Sequence, residues 1–215
     1  ASPLAELRPM VIAIVGPTAL GKSDFAVSIA KKIGGEIISA DSRQVYRGLD
    51  IGTGKITKKE MRGVPHYMLD VANPKRRITV ADFTKLAHKI ILNIHERGKI
   101  PIVCGGTGFY IEELLFPSNL PEVPANKKFR AKFSKLSAEK LFSILKKKDL
   151  RRAKEIDPKN KVRLIRALEI IDALGKVPKR KFTDSPYEVI TIELNAPIDF
   201  IKKKIHLRLQ KRIKL

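Results

Sequence analysis

The 215-residue chain has no tryptophan and only one cysteine, Cys104. A single thiol excludes a disulfide or a cysteine metal cluster within the chain, and its place in the apolar run 100–104 predicts a buried side chain in a reducing compartment. No apolar run approaches the roughly 18 residues of a membrane span, and the N-terminus has no signal-peptide pattern. These absences predict a cytoplasmic protein. The four histidines also lack the spacing of metal ligands: His66, His88, His95 and His206.

Acidic residues are scarce. The chain has 22 Asp and Glu against 44 Lys and Arg, a net charge of +22. The excess is uneven, because residues 1–115 carry a net charge of +6 and residues 116–215 a net charge of +16. A field of this sign attracts polyanions in a salt-dependent way, which indicates a nucleic acid partner. The alternative is a lysine-rich, solvated surface with no partner.

The chain does contain a phosphate-binding loop. An apolar stretch of strand length, residues 10–15, runs into the pattern G-x-x-x-x-G-K-[ST], here Gly16-Pro17-Thr18-Ala19-Leu20-Gly21-Lys22-Ser23. The glycines let backbone N–H groups converge on an anion, and the helix that follows adds the positive end of its dipole. In this pattern Lys22 reaches the outer phosphate and the Ser23 hydroxyl binds Mg²⁺. The loop predicts a bound di- or triphosphate without identifying the compound.

Apolar strands alternate with amphipathic helices over the first half of the chain. Residues 36–40 and 100–104 predict buried strands, and Thr79 is a suitable N-cap for a helix to about Arg97. Alternation of this kind is typical of an α/β fold with a P-loop NTPase-like parallel sheet flanked by helices. Residues 188–194 alternate in polarity and predict a further strand.

Three prolines after residue 116 separate the alternating strands and helices from a segment rich in basic residues. Residues 127–154 carry 12 basic and 2 acidic side chains on helical patterns. We therefore predict a small helical basic insertion at 117–155, facing a nucleic acid, within a P-loop catalytic core formed by residues 1–116 and 156–215.

Two polar residues follow predicted strands. Asp41 comes after strand 36–40 and Thr107 after strand 100–104, and ligands of open α/β sheets bind at this edge. Asp41 can act as a general base or hold Mg²⁺ through water, and Thr107 can orient a substrate. The alternatives are an aspartate that caps the next turn and a tight strand-to-helix turn.

Two pairs of arginines have helical spacing. Arg163 and Arg166 lie three residues apart, and Arg208 and Arg212 four. Each pair can grip phosphates, and each can equally form surface ion pairs. For the first pair, Glu169 is a candidate partner, because it lies a further three residues along the same helix.

Five motifs together resemble the tRNA dimethylallyltransferases, also called tRNA isopentenyltransferases. The block from Ser39 to Thr53, which contains Ala-Asp-Ser-Arg-Gln-Val-Tyr-Arg-Gly, is highly specific to that family. The others are the phosphate-binding loop, Gly63-Val64-Pro65-His66-Tyr67, Gly105-Gly106-Thr107-Gly108-Phe109-Tyr110, and the stretch from Asp157 to Glu169.

The resemblance implies transfer of a dimethylallyl group from dimethylallyl diphosphate to N6 of adenine 37, in the anticodon stem-loop of tRNAs that read codons beginning with U. It implies that residues 16–23, with Mg²⁺ on Ser23, hold the leaving diphosphate, and that Asp41 is the general base. Thr107 matches a substrate contact, and Arg208, with a one-residue gap, a diphosphate contact. The family's tRNA-contacting segments match Asp41-Ser42-Arg43-Gln44 and Val162-Arg163-Leu164-Ile165-Arg166.

The chain departs from the family pattern in two places. Residues 116–156 are shorter and richer in lysine than is usual, and the chain stops at Leu215, where family members usually continue. We expect a monomer that does not bind membranes. Two other functions account for part of the sequence. One is an ATP-dependent P-loop kinase of a small metabolite or nucleoside, and the other is a non-catalytic nucleic-acid-binding module that resembles an NTPase.

Overall fold

The computed structural model describes residues 8–213, which form two compact units. The first contains residues 8–117 and 183–213, and the second contains residues 118–182. Each unit has its own apolar core, as expected when two segments bury their side chains separately.

The first unit contains a five-stranded sheet in which every pairing is parallel. The strands are β1 (Met10–Val15), β2 (Glu36–Ser39), β3 (His66–Tyr67), β4 (Pro101–Cys104) and β5 (Glu188–Glu193). Their order across the sheet is β3-β2-β4-β1-β5. Central strands β1, β2 and β4 are almost wholly buried, which explains the apolar sequences of β1 and β4 and the two isoleucines of β2.

Helices surround this sheet and make up most of the second unit. The first unit has α1 (Lys22–Ile33), α2 (Lys58–Met61), α3 (Val80–Glu96), α4 (Gly108–Leu115) and, after the second unit, α9 (Ile198–Ile213). The second unit has α5 (Lys127–Ser134), α6 (Ala138–Lys148), α7 (Leu150–Glu155) and α8 (Lys161–Leu174). Among residues 8–213, no helix is long and apolar enough to cross a membrane.

Helix α3 shows how local sequence determines an element here. The Thr79 hydroxyl accepts a hydrogen bond from the Asp82 N–H, and the Asp82 carboxylate accepts one from the Thr79 N–H, which together form a capping box. Phe83, Ala87 and Ile91 recur every four residues and are fully buried against the sheet. The predicted N-cap is confirmed, and so is the predicted α/β fold with its parallel sheet.

The second unit extends beyond the predicted insertion. Its core contains Leu141 and Leu145 of α6 together with Leu164 and Leu168 of α8, all at most 2% exposed. Helix α8 therefore packs with α6 and belongs to this unit. The prediction from sequence ended the insertion at residue 155, whereas the compact unit continues to residue 182.

Candidate active site

Three loops lie side by side at the carboxyl edge of the sheet. They follow β2, β4 and β1, which are adjacent strands, and they carry Asp41, Thr107 and the phosphate-binding loop respectively. The chain leaves β1 for β2 and later inserts β4 between them, so this edge is a point where the strand order reverses. Such a point is the usual ligand crevice of an open α/β sheet.

The phosphate-binding loop is tightly held at its start. A Cβ at Gly16, whose φ is 136°, would lie 2.2 Å from the carbonyl oxygen of Leu194, just after β5. No other residue fits there. The loop then turns through Ala19 and Gly21, whose φ angles are 70° and 78°, before α1 begins.

Lys22 points back into this loop. Its Nζ donates to the carbonyl oxygens of Gly16 at 2.8 Å and Pro17 at 2.7 Å. Burial lowers the pKa of Lys22, and the charge of the nearby Arg208 guanidinium lowers it further. The negative charge of an anion bound in the loop would favour the protonated form and offset both effects, so the ammonium is well placed to neutralise a phosphate.

The two carboxylate oxygens of Asp41 have different surroundings. Oδ1 accepts hydrogen bonds from the N–H groups of Arg43 at 2.8 Å and Gln44 at 3.3 Å, so the aspartate does cap the turn that follows β2. Among the described residues, Oδ2 accepts no hydrogen bond. The capping role and the role of a base therefore fall on different atoms and are compatible.

Thr107 links two of the loops. Its Oγ1 accepts a hydrogen bond from the Ser42 N–H at 2.9 Å and lies 3.3 Å from the Ser42 hydroxyl. The loops approach so closely that a Cβ at Gly105 would lie 2.2 Å from the carbonyl oxygen of Ala40. The hydroxyl thus fixes the position of Ser42 relative to β4. Neither of the two roles considered for Thr107, orientation of a substrate and a tight strand-to-helix turn, included this contact between loops.

Arg208 reaches the same neighbourhood from α9. Its Nη2 donates to the Gly54 carbonyl oxygen at 3.3 Å, and the Gln44 amide donates to that oxygen at the same distance. The Arg212 guanidinium packs directly over the Cα of Gly54. Arg208, the predicted diphosphate contact, and Gln44, in the turn that Asp41 caps, are therefore both bound to the carbonyl oxygen of Gly54.

Lys55 is a supporting residue that the sequence did not reveal. Its ammonium, with a side chain only 5% exposed, pairs with Asp50 at 2.6 Å and Asp70 at 2.5 Å and donates to the Tyr46 carbonyl oxygen. These bonds fix the long loop after Gln44. No local pattern predicts them, because Asp70 lies 15 residues away in an irregular segment.

The other predicted RNA-contacting segment lies in the second unit, at the start of α8. Leu164 is fully buried in the core, whereas Val162 and Arg163 are exposed and Arg166 is partly exposed. RNA can therefore reach four side chains of this segment: Val162, Arg163, Arg166 and the partly buried Ile165.

Arg166 is already engaged in an ion pair. Glu169 is 2% exposed and accepts hydrogen bonds from Arg166 at 2.6 Å, from Arg130 at 2.6 and 2.9 Å, and from the Asn126 N–H. Burial alone would raise the pKa of Glu169, but these donors outweigh it and lower the pKa to about 2. Of the two alternatives for the arginine pair, Arg166 forms the ion pair, whereas Arg163 has no ion-pair partner among the described residues.

The Glu169 cluster gives a testable stability difference. Glu169→Gln should destabilise the protein by roughly 3 kcal/mol at pH 7, because it leaves two arginines without their buried counter-charge. The carboxyl has a pKa of about 2 when folded and 4.5 in its ordinary state, so the wild type should lose this advantage as the pH falls from about 4.5 to 2. Urea unfolding at pH 7 and pH 3 measures the difference. The prediction would be contradicted if the difference in free energy of unfolding between wild type and variant were the same at both pH values.

Cys104 and the two partly buried histidines, His66 and His88, serve the fold. Burial raises the pKa of the Cys104 thiol to about 12, which makes it unreactive at neutral pH. His88 Nδ1 is hydrogen-bonded to the Tyr187 hydroxyl and His66 Nδ1 to the Val64 carbonyl oxygen. Within residues 8–213, no group of three or more His, Cys, Asp or Glu side chains is placed to hold a metal ion.

The polar groups beside the loop are nonetheless suited to Mg²⁺. This ion is commonly held by one or two protein oxygens together with substrate phosphates, and does not require a cluster of three. The exposed Ser23 is the last residue of the loop and lies in the first turn of α1, and Asp41 lies at the same edge of the sheet. Both are hard oxygen donors.

Comparison with known proteins identifies relatives over most of the chain. A family model described as IPP transferase matches residues 44–215. The tRNA dimethylallyltransferase of Halalkalibacterium halodurans is 41% identical over 216 residues, which cover 96% of this chain and 69% of that protein. The tRNA dimethylallyltransferase of Caldanaerobacter subterraneus subsp. tengcongensis is 46% identical over 170 residues, 77% of this chain and 54% of that protein.

Solved structures agree with these relatives. The full-length tRNA isopentenylpyrophosphate transferase from Bacillus halodurans aligns with a TM-score of 0.66 and 40% identity, covering 96% of this chain and 66% of that one. A eukaryotic dimethylallyltransferase acting on tRNA aligns with a TM-score of 0.78 and 28% identity, and the alignment covers 96% of this chain and 53% of that one. The chain thus spans between about half and two thirds of the length of these proteins.

Proposed function

The chain belongs to the IPP transferase family, and from this premise we propose that it transfers a dimethylallyl group from dimethylallyl diphosphate to N6 of adenine 37 in tRNAs that read codons beginning with U. The relatives are named tRNA dimethylallyltransferases, which supports a dimethylallyl group as the group transferred and tRNA as the acceptor. The observation that carries the proposal is the convergence of Lys22, Asp41, Thr107 and Arg208 at one edge of the sheet.

The chemistry requires a base, because the lone pair of N6 is delocalised into the adenine ring and attacks poorly. As the bond between N6 and C1 of the dimethylallyl group forms, the C1–O bond breaks and the diphosphate leaves with both electrons. Asp41 Oδ2 accepts the proton that N6 loses. Since Oδ1 is held by two backbone N–H groups, Oδ2 is fixed in position before the substrate arrives.

The leaving diphosphate gains negative charge during this step. We propose that the N–H groups of residues 16–23, the Lys22 ammonium and the Arg208 guanidinium stabilise it. To do so, Lys22 exchanges the carbonyl oxygens of Gly16 and Pro17 for phosphate oxygens. Mg²⁺, bound through Ser23, would supply further positive charge to the phosphates.

The RNA side of the reaction relies on the loop after β2 and on the basic surface. The target base has to leave its stack in the anticodon loop to reach Asp41. We assign contacts near the flipped base to Ser42, Arg43, Gln44 and Thr107, and contacts with the stem-loop backbone to exposed residues of 162–166. A monomer located in the cytoplasm is part of the same proposal.

A direct test is incubation of the chain with dimethylallyl diphosphate, Mg²⁺ and an anticodon stem-loop that contains adenine 37. We expect the RNA to gain the mass of one dimethylallyl group in place of one hydrogen. A matched stem-loop with guanine at this position, which has no N6 amine, should remain unmodified. Modification of both RNAs, or of neither, would contradict the proposal.

Ligand stabilisation separates this function from a P-loop kinase. Dimethylallyl diphosphate with Mg²⁺, at about 100 times its dissociation constant, should stabilise the protein by about 2.7 kcal/mol and raise Tm by roughly 5–10 °C. ATP with Mg²⁺ at the same concentration should give a smaller rise. Differential scanning fluorimetry measures both shifts. A clear preference for ATP would favour the kinase and overturn the assignment.

A further inference from the structure

The second unit contains a cleft that the proposed reaction does not use. It lies where α6 ends and α7 begins, beside the segment that follows α8, and its volume is about 530 Å³. Four of its eight lining residues are basic: Lys148, Arg151, Lys176 and Lys179. Lys148 is the last of three consecutive lysines, residues 146–148, at the end of α6.

The walls of the cleft are fixed to each other. Asp149 is 7% exposed; its Oδ1 accepts a hydrogen bond from the Arg152 N–H at 2.9 Å and its Oδ2 one from the Val177 N–H at 3.1 Å. Arg151 Nη2 donates to the Val177 carbonyl oxygen, and Val177 is itself buried in the core of the unit. The cleft is therefore a rigid part of the fold and not a gap between loose side chains.

The cations of the cleft have little counter-charge. The single lining carboxylate, Asp149, has both oxygens committed to backbone N–H groups. Arg151 forms ion pairs with Asp149 at 3.7 Å and with Glu155 at 2.9 Å. Lys148, Lys176 and Lys179 are exposed, and none forms an ion pair within the part of the chain that the structure describes. Three ammonium groups around one opening repel one another, which an anionic ligand would relieve.

We propose that this cleft binds phosphates of the RNA backbone. The inference rests on the proposed function for the identity of the RNA. The whole unit, residues 118–182, has 20 basic and 7 acidic side chains, so the field around the cleft suits a long polyanion better than one small anion. The lining contains no aromatic ring on which a base could stack. Lysines without aromatic rings position a phosphate backbone and do not read its sequence.

The test compares two triple variants of the full chain that change net charge equally. The cleft variant is Lys148→Ala, Lys176→Ala, Lys179→Ala. The control is Lys128→Ala, Lys135→Ala, Lys140→Ala, which removes three exposed lysines of the same unit from outside the cleft lining. Arg151 is left intact because its bonds hold the cleft together. Circular dichroism and thermal unfolding establish that both variants are folded.

Fluorescence anisotropy with a labelled anticodon stem-loop, without dimethylallyl diphosphate, gives the dissociation constant over a range of salt. The cleft variant should weaken binding by roughly tenfold or more near 0.15 M salt and reduce the slope of log K against log salt by about two. The control should weaken binding by less than roughly threefold. Equal losses in the two variants would mean that the charge acts diffusely, and no loss in the cleft variant would mean that the cleft is unused. Either result overturns the proposal.

Failure here and failure of the proposed function give different results. If the wild type binds the stem-loop but does not prenylate it, the proposed function fails, and the cleft is still judged from the two variants. If the wild type prenylates the RNA and the cleft variant binds it normally, only the cleft proposal fails.

Discussion

Replacement of Asp41 by asparagine is expected to stop prenyl transfer and to leave RNA binding almost intact. An asparagine keeps the oxygen that accepts from the N–H groups of Arg43 and Gln44, so the turn after β2 persists. It cannot accept a proton from N6. Loss of a general base typically costs 10²- to 10⁴-fold, so we expect kcat to fall by roughly that factor.

Single-turnover assays with saturating RNA measure this effect, and anisotropy measures RNA binding, which should change by less than roughly tenfold. Asp184→Asn is a matched control, because it removes the same charge from an exposed position of the same unit. Asp41→Ala should lose both the base and the turn, and so weaken RNA binding more than Asp41→Asn does. Near-normal turnover in Asp41→Asn would remove Asp41 as the base.

The second large effect is expected for Lys22→Met, which keeps a side chain of similar length without the charge. Lys22 is the one lysine in the phosphate-binding loop, and its ammonium already lies within 2.8 Å of two loop carbonyl oxygens. Removal of one preorganised donor to a developing negative charge costs about 10²- to 10³-fold. We expect kcat/KM for dimethylallyl diphosphate to fall by roughly this factor, with RNA affinity unchanged.

Lys32→Met provides the comparison, because it removes the same charge from an exposed position of the same helix, α1. Steady-state kinetics with varied dimethylallyl diphosphate should give nearly wild-type values for this control. If both variants lose activity equally, the effect comes from net charge and not from the loop. If neither does, Lys22 plays no part in holding the leaving group.

Features set by neighbouring residues were predictable from the sequence. The strand before Gly16, the phosphate-binding loop and the helix after it follow one local pattern, and β1 has its expected bounds, residues 10–15. The Thr79 cap was predictable for the same reason. The α/β fold and the family resemblance are both confirmed, since they depend on several such patterns in a fixed order.

Features set by distant pairings were not predictable. Strand order is one, because β4 inserts between β1 and β2 through contacts that no local pattern specifies. The Thr107 bond to Ser42 spans 65 residues, and the Arg130 bond to Glu169 spans 39. The boundary at residue 182 belongs here too, since an apolar helix face does not reveal which neighbour will cover it. The roles of the individual site residues stay predictions until the variants are measured.

The pairing of β1 with β5 has a consequence for the order in which the chain can fold during synthesis. Residues 10–15 are synthesised before their edge partner, residues 188–193, and the entire 118–182 unit lies between the two strands. That unit is contiguous and has its own core, so it can complete its packing while the sheet is still missing a strand. At about 5–20 residues per second, synthesis of the roughly 170 residues between β1 and β5 takes about 9–35 s, and β1 waits this long for its edge partner. The unit formed by residues 118–182 can therefore complete its folding before the unit that contains the sheet does.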